Sequence, residues 1–353
     1  MCYDRRQKGG NDMRTESTGS PPFLAGKRVL VTGGGGSIGS ELCRQAAAQH
    51  PDSLAILEIS ENGAWDIQQE LWRQYGSTLP FRVEIGSIRD RARLAQLMRD
   101  LKPDLVLHAA AHKHLPLLEN NPQEAVKNNV FGTLNVLEAA EEAGCGRFVL
   151  ISSDKAVHPT SVLGATKRLT ERMVEVPHGG MICSAVRFGN VIGSAGSVIP
   201  LFRQQIAAGG PVTITDRRMT RYFLSIPDAA SLVLEAARIA EGGEIFVLDM
   251  GKPVSILALA EHMIREAGLT PWTEVPIVFT GLRPGEKLSE ELFTSEEELS
   301  ATRIGGILRT QPASTSPAAL SEALALLSRS LDASPGKVRE ALMAAVPEYR
   351  PAQ

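Results

Sequence analysis

The sequence predicts an α/β protein with a doubly wound parallel sheet, a smaller C-terminal substrate lobe and a C-terminal helical appendage. Three observations predict it. Short apolar runs alternate with helical patterns as far as about residue 190, and a glycine-rich turn lies between the first such run and the first helix. An acid and a base, Asp154 and Lys155, stand where a buried strand should end. Strands alternating with helices mean βαβ units, and the strand ends of such a sheet are where ligands and chemistry gather.

Taken in order, the apolar runs 28–31, 54–59, 81–85, 105–109 and 148–151 read as strands. Between them 37–49, 62–75, 91–101 and 123–143 read as helices, followed by a helix over 161–174 and a strand over 182–188. These elements form a dinucleotide-binding domain over 23–190. Beyond it Gly193, Gly196, Gly209, Gly210 and Pro211 break the chain into shorter pieces, which suits a mainly substrate-binding lobe over 191–316. Segments after 190 can return to the sheet, with 245–248 a strand candidate. Two alanine- and leucine-rich helical patterns, parted near 333–336, make the appendage over 317–353.

The 353 residues suffice for a sizeable core, and the formal charge of −3 gives no basis for binding nucleic acid or an anionic membrane. An anionic ligand must therefore meet local arginines. Cys2, Cys43, Cys145 and Cys183 show no Cys-x-x-Cys spacing, which points to a reducing, cytoplasmic setting. No apolar run approaches the roughly 18 residues of a membrane span. Residues 1–22 are too polar and glycine-rich for a signal peptide and read as a disordered leader.

Thr32, Gly33, Gly36 and Gly39 spell T-G-x-x-G-x-x-G directly after the first strand. Glycines so placed let the backbone turn tightly and present helix N-terminal amides to a pyrophosphate, the Rossmann-type arrangement. Ser37 and Ile38 inside the motif, and Ala109 after the fourth strand, join this cofactor site. Glu58 lies near the end of the second strand, where a carboxylate accepts hydrogen bonds from the adenosine ribose diol, with Glu61 the competing choice. No arginine follows Glu58 to welcome a 2′-phosphate, so NAD is favoured over NADP. His112, Lys113 and His114 lack the accompanying carboxylate or cysteine spacing of a metal site, and no metal is expected.

Several segments in order carry a resemblance: HAAAHKHLPLLENNPQEAVKNNVFGT from His108, SSDKAVHPTSVLGATK from Ser152, VRFGNVIGSAGSVIPLF from Val186, MTRYF from Met219, GLRPGEKL from Gly281 and VPEYRP from Val346. From about Lys27 to Pro351 the chain resembles the UDP-N-acetylglucosamine 4,6-dehydratases of bacterial polysaccharide biosynthesis, within the extended short-chain dehydrogenase/reductase superfamily. Larger members carry an N-terminal membrane region and an extra domain; this chain resembles the soluble catalytic part.

The resemblance implies oxidation of a UDP-sugar at carbon 4 by NAD, elimination of water across carbons 5 and 6, and return of the hydride to carbon 6. It implies Asp154 as acid for the departing hydroxyl and Lys155 as base at carbon 5. Burial would suit both groups, raising an acid and lowering an amine, while their mutual attraction opposes it. Ser153 stands where a threonine is common, its hydroxyl near carbon 4, and Lys167 holds the nicotinamide ribose. Leu163 occupies the usual tyrosine position, so deprotonation of the 4-hydroxyl falls to Lys155, Asp154 or a bound water. By the same resemblance Lys113 borders the sugar and Asn129, in the cofactor set, braces the central strand. Asn190, Arg221 and Arg283 meet the UDP moiety, with Glu286 at its ribose.

A homodimer or larger homo-oligomer is implied through the helices at 123–143 and 161–174, to which Val130, Leu134, Leu137 and Leu163 are available, although some of them must face the protomer's own sheet. Other readings stay open: a dehydratase that inverts carbon 5, a UDP-sugar 4-epimerase, or a non-catalytic regulator binding NAD and nucleotide sugar.

Overall fold

A computed structural model describes residues 22–310 and 315–351; the expected leader lies, up to residue 21, outside the described residues. Strands β1 (Arg28–Thr32), β2 (Ser53–Glu58), β3 (Phe81–Ile85), β4 (Leu105–His108), β5 (Arg147–Ile151) and β6 (Ile182–Arg187) run parallel, with Glu244–Leu248 parallel beside β6. The order across the sheet is Leu299–Ala301, Ile307–Thr310, Glu244–Leu248, β6, β5, β4, β1, β2, β3. Chain order reverses at β1, which pairs with β2 on one side and β4 on the other, and this opens the crevice used below.

The strands are nearly continuous Val, Ile and Leu because both faces are covered. Alternation divides them between two cores: Leu30, Val106, Phe148 and Leu150 face one way, and Val29, Val31, Leu107 and Val149 the other. A third core belongs to the lobe, where the helices Val198–Ala207 and Ile256–Glu266 pack around Phe202, Val212, Ile214, Ile264 and Ile277.

Strand positions from the sequence hold within a residue or so, and the strand candidate at 245–248 does join the sheet. Three features differ from the sequence reading. The single helix expected over 123–143 is three pieces: Pro122–Ala125, a wider π-helical stretch Val126–Phe131 carrying Asn129, and Gly132–Glu142. Beyond residue 190, the antiparallel strands Leu299–Ala301 and Ile307–Thr310 extend the large sheet, and the helix Ile226–Ile239 packs on it. The third concerns the expected interface residues. Val130, Leu137 and Leu163 are at most 3% exposed inside the protomer's own core, and Leu134 packs against that core. The chain's own core accounts for Val130, Leu137 and Leu163, while Leu134 stays partly exposed. The helix Pro335–Ala345 also packs against Pro122–Ala125 and Val162–Glu175, tied down by Arg172 with Glu348 at 2.6 Å and by Arg350 N donating to the Pro159 carbonyl at 2.9 Å.

A buried ion pair locks the site-bearing helix. Glu171, on Val162–Glu175, is 0% exposed and Arg187, at the end of β6, is 1% exposed. Arg187 donates from Nε to Glu171 Oε1 at 3.0 Å and from its outer nitrogens to Glu171 Oε2 at 2.8 Å and Glu297 Oε2 at 2.9 Å. Ser152 Oγ, directly after β5, donates to Glu171 Oε1 at 2.6 Å. Burial alone would push the Glu171 carboxyl up, yet the charge and hydrogen bonds of Arg187 hold it below the ordinary carboxylate range.

Arg187→Met leaves Glu171 buried without its main partner, and urea unfolding at pH 7 should show a loss of about 3–5 kcal/mol. Because the folded-state pKa of Glu171 is depressed, its contribution is present above the ordinary carboxylate pKa and lost as pH falls through the folded value. The gap between wild type and variant should therefore narrow on acidification.

Candidate active site

After β1 the chain turns at Gly33, whose φ is +72°. A Cβ on Gly33 would lie 2.7 Å from Ala110 N, and one on Gly39 only 2.0 Å from the Gly33 carbonyl oxygen, so neither tolerates a side chain. The helix Ser37–Ala47 starts here with Gly36 as N-cap and no side-chain cap, leaving its first amides available to an anion. Glu58 is 8% exposed and steadies this turn: Oε2 accepts from Gly35 N, and Oε1 accepts from Ile59 N and Ser60 N, each at 2.9 Å. Glu61 is exposed at the start of the next helix, so Glu58 is the carboxylate held beside the glycines. Thr32 is fully buried, with Oγ1 2.7 Å from His108 Nδ1, and His108 Nε2 lies 2.9 Å from Thr133 Oγ1. Burial, helped by the charge of Lys167, brings His108 down to about 3 and keeps it neutral.

A cavity of about 710 Å³ runs from this turn along the crevice. It brings together Gly33, Gly36, Ser37, Ile38, Gly39, Ala109, Lys113, Ser153, Lys155, Lys167 and Asn190 on one wall system, with Leu163 among them. Thr32, Glu58, Asp154, Asn129, Arg221, Arg283 and Glu286 do not line it.

Where β5 ends, Ser153 caps a short turn over Asp154–Ala156. Ser153 Oγ and Lys155 Nζ both donate to Asp154 Oδ1, each at 2.9 Å. Asp154 is 0% exposed, and its Oδ2 has no protein partner; a Cβ on Gly189 would come within 3.1 Å of it. The carboxyl thus reaches the cavity only through the serine hydroxyl and the lysine amine. Sequence reasoning missed Glu290, 6% exposed, whose Oε1 lies 3.5 Å from Lys155 Nζ. Burial pulls the Lys155 amine down, but Asp154 and then Glu290 more than compensate and hold it above the ordinary lysine value. Attraction therefore outweighs burial at this pair. Glu290 sits four residues after Glu286 in an acidic stretch, and nothing in its spacing points to Lys155.

Lys167 stands one helical turn after Leu163 and donates from Nζ to the Ile151 carbonyl at 2.8 Å. With no carboxylate in contact, burial brings its amine down to about 8. Asn129 braces the loop after β4 instead of the strand itself, accepting from His112 N at 2.8 Å and donating to the His112 carbonyl at 3.0 Å. Lys113 reaches over the cavity to the Ala195 carbonyl at 2.9 Å, while Ala195 N donates to Ser37 Oγ at 3.2 Å.

Arg221, 7% exposed, spends its outer nitrogens on the carbonyls of Thr220, Leu288 and Lys287 at 2.7, 3.1 and 2.8 Å. Arg283 is exposed and pairs with Glu286 at 3.0 Å. Among the described residues no group of three or more His, Cys, Asp or Glu is placed to hold a metal ion, and no helix is long and apolar enough to cross a membrane.

The polysaccharide biosynthesis protein family matches residues 29–312. The capsular polysaccharide biosynthesis protein CapD of Staphylococcus aureus is 50% identical over 277 residues, covering 78% of this chain and 46% of that protein. The chain thus spans about half the length of that relative. A UDP-N-acetylglucosamine 4,6-dehydratase (inverting) of Campylobacter jejuni subsp. jejuni serotype O:23/36 (strain 81-176) is 36% identical, covering 77% of this chain and 79% of its own. The X-ray structure of Pen from Bacillus thuringiensis superposes with a TM-score of 0.76 at 36% identity, over 83% of this chain and 92% of that one.

The low proton affinity of Lys167 gives a pH signature. Its folded-state pKa of about 8 lies below the ordinary 10.5, so the unfolded chain holds more protons between these values and stability rises with pH across that window. Denaturant unfolding from pH 7.5 to 10.5 should show wild type gaining on Lys167→Met by on the order of 3 kcal/mol. Parallel curves would show that the amine is not desolvated.

Proposed function

The chain belongs to the polysaccharide biosynthesis protein family, and on that premise we propose that it is an NAD-dependent nucleotide-sugar 4,6-dehydratase acting on UDP-N-acetylglucosamine. One observation carries the reading: Ser153, Lys155 and Lys167 line a single cavity with an uncapped, glycine-rich helix start, and Asp154 lies buried behind the first two, bonded to both. The glycine turn fits a dinucleotide, because its close approaches exclude side chains where a pyrophosphate would meet the helix amides. Gly36 to Gly39 and the Glu58-steadied loop would hold the adenosine half, and Lys167 the nicotinamide ribose. Bound NAD would supply a hydride acceptor that gives the hydride back, leaving the overall reaction redox-neutral.

Asp154 and Lys155 share one proton over 2.9 Å. Passing it from Nζ to Oδ1 gives the neutral amine and carboxylic acid that elimination needs. Lys155, on the wall, takes the carbon-5 proton. The Asp154 proton leaves through Ser153 Oγ with the 6-hydroxyl as water, so the pair begins and ends the elimination holding one proton. Leu163 cannot accept the 4-hydroxyl proton, which passes through the same Ser153, Asp154 and Lys155 set to water in the cavity before elimination; afterwards the Lys155 ammonium, exchanged with that water, gives a proton back to carbon 5, and the pair takes up one proton from the water to begin again. For the UDP moiety, Asn190 contributes from the wall and Arg283 from an exposed loop, while Arg221 and Glu286 hold that loop.

A second reading, inversion at carbon 5, is favoured by the name of the Campylobacter relative. A 4-epimerase would leave the 6-hydroxyl in place, and a regulator would not turn over at all. The buried free thiols of Cys43, Cys145 and Cys183 accord with a cytoplasmic enzyme. A homodimer or larger assembly remains our reading from the likeness of the helices at 123–143 and 161–174 to those that pair across the family's dimer interface, and a strictly monomeric mass by light scattering would refute it.

Incubation with UDP-N-acetylglucosamine in deuterated water should give a 6-methyl group with deuterium at carbon 5, read by NMR together with its stereochemistry, and no build-up of NADH. Lys155→Ala should abolish carbon-5 exchange and Asp154→Asn should impair loss of the hydroxyl, each by about 10²–10⁴-fold. Near-normal turnover in both folded variants would overturn the assignment.

A further inference from the structure

We propose that Glu290 is a positioning residue for the Lys155 amine, its buried carboxylate fixing how tightly the Asp154–Lys155 pair holds its proton. The proposal rests on the dehydratase reading for its meaning, and on geometry for its substance.

Glu290 arrives at Lys155 because its segment is stitched to the turn that follows that lysine. Thr160 Oγ1 donates to the Gly285 carbonyl at 2.9 Å, and Lys287 Nζ donates to the Val157 carbonyl at 2.7 Å. From the other side the Arg221 guanidinium grips the carbonyls of Lys287 and Leu288. The carboxylate so delivered is 94% buried, and a buried carboxylate is costly unless a cation faces it. Two do: Lys155 Nζ at 3.5 Å and Arg221 Nε at 3.8 Å. Arg221 is already committed to three carbonyls and lies 3.8 Å from Glu286, so Lys155 is the nearer and freer partner. Glu290 Oε2 has no protein partner at all.

The charged groups around the amine are therefore Asp154 from its own turn, Glu290 and Lys287 from the 285–290 segment, and Arg221 from its short strand, with Glu286 beyond Arg221. Two carboxylates bracket one ammonium. Asp154 is the group that exchanges the proton, whereas Glu290 is the fixed charge that biases it. After Lys155 has taken the carbon-5 proton and Asp154 has given its own away, Glu290 still faces the new ammonium. Removing that charge lowers the proton affinity of the coupled pair, and both of its macroscopic steps move to lower pH.

The test reads the amine directly. Trace acetylation of Lys155 with acetic anhydride across pH, followed by mass spectrometry, reports its titration in the whole protein without requiring turnover. In Glu290→Gln the midpoint should fall by about one to three pH units; in Glu290→Asp, with the charge one methylene farther away, it should lie between the two. The kcat profile for dehydration should shift the same way. If Glu290→Gln does not fold, judged by circular dichroism, Glu290→Asp carries the test alone. A Lys155 midpoint equal to wild type in whichever variant folds overturns the proposal. Wild type that fails to dehydrate UDP-N-acetylglucosamine would refute the dehydratase reading, while the acetylation profile would still decide for or against Glu290.

Discussion

Glu171 and Arg187 meet where water is almost wholly excluded, and that contact ties the helix Val162–Glu175 to the ends of β5 and β6. Leu163, Lys167 and Glu171 recur every four residues on one helix, so fixing Glu171 fixes the face that the other two present to the crevice. The same carboxylate accepts from Ser152, which pins the end of β5 one residue before Ser153. Helix and strand end are thereby clamped at a common point, and the distance between Lys167 and Lys155 is not left to loop conformation. An apolar pair could pack this site equally well, but it could not bond Ser152, Arg187 and the helix through a single group.

The two lysines show how surroundings push the proton affinity of one residue type in opposite directions. Lys167 has a carbonyl for its partner and a carboxylate only at a distance, so burial dominates and its amine loosens its proton to about 8. Lys155 is also enclosed, but Asp154 and Glu290 touch it and reverse the sign. Environments that push proton affinities apart mark where a fold separates holding from reacting. Leu163 lines the same cavity and adds no third titrating group to it.

Much of this was legible in the chain. Short apolar runs and helical patterns located the strands and most helices, and the glycine spacing located the tight turn at one end of the cavity, where a side chain does not fit at Gly33 or Gly39. What was illegible has common causes. Apolar periodicity marks a face as buried but not by what, so the sequence could say that some of Val130, Leu134, Leu137 and Leu163 face the protomer's own sheet but not that the core takes Val130, Leu137 and Leu163. The strands Leu299–Ala301 and Ile307–Thr310 are too short to show a period, and the π-helical stretch keeps the apolar spacing of an ordinary helix. Glu290 and the seclusion of Asp154 arise from contacts between segments far apart in sequence, which no local pattern records.

Among the described residues the sheet has nine strands and two rims, and they bear on how the protein behaves at high concentration. An open rim offers unpaired backbone donors and acceptors to any other extended chain. On one side the sheet stops at Leu299–Ala301, three residues long, which gives an intruding strand little to grip. On the other it stops at β3, where Arg82 and Arg93 both pair with Glu84 and surround the rim with charge. A docking strand would have to desolvate those charges to form its ladder. The architecture that exposes a long crevice for chemistry thus closes its own margins against fibrous self-association.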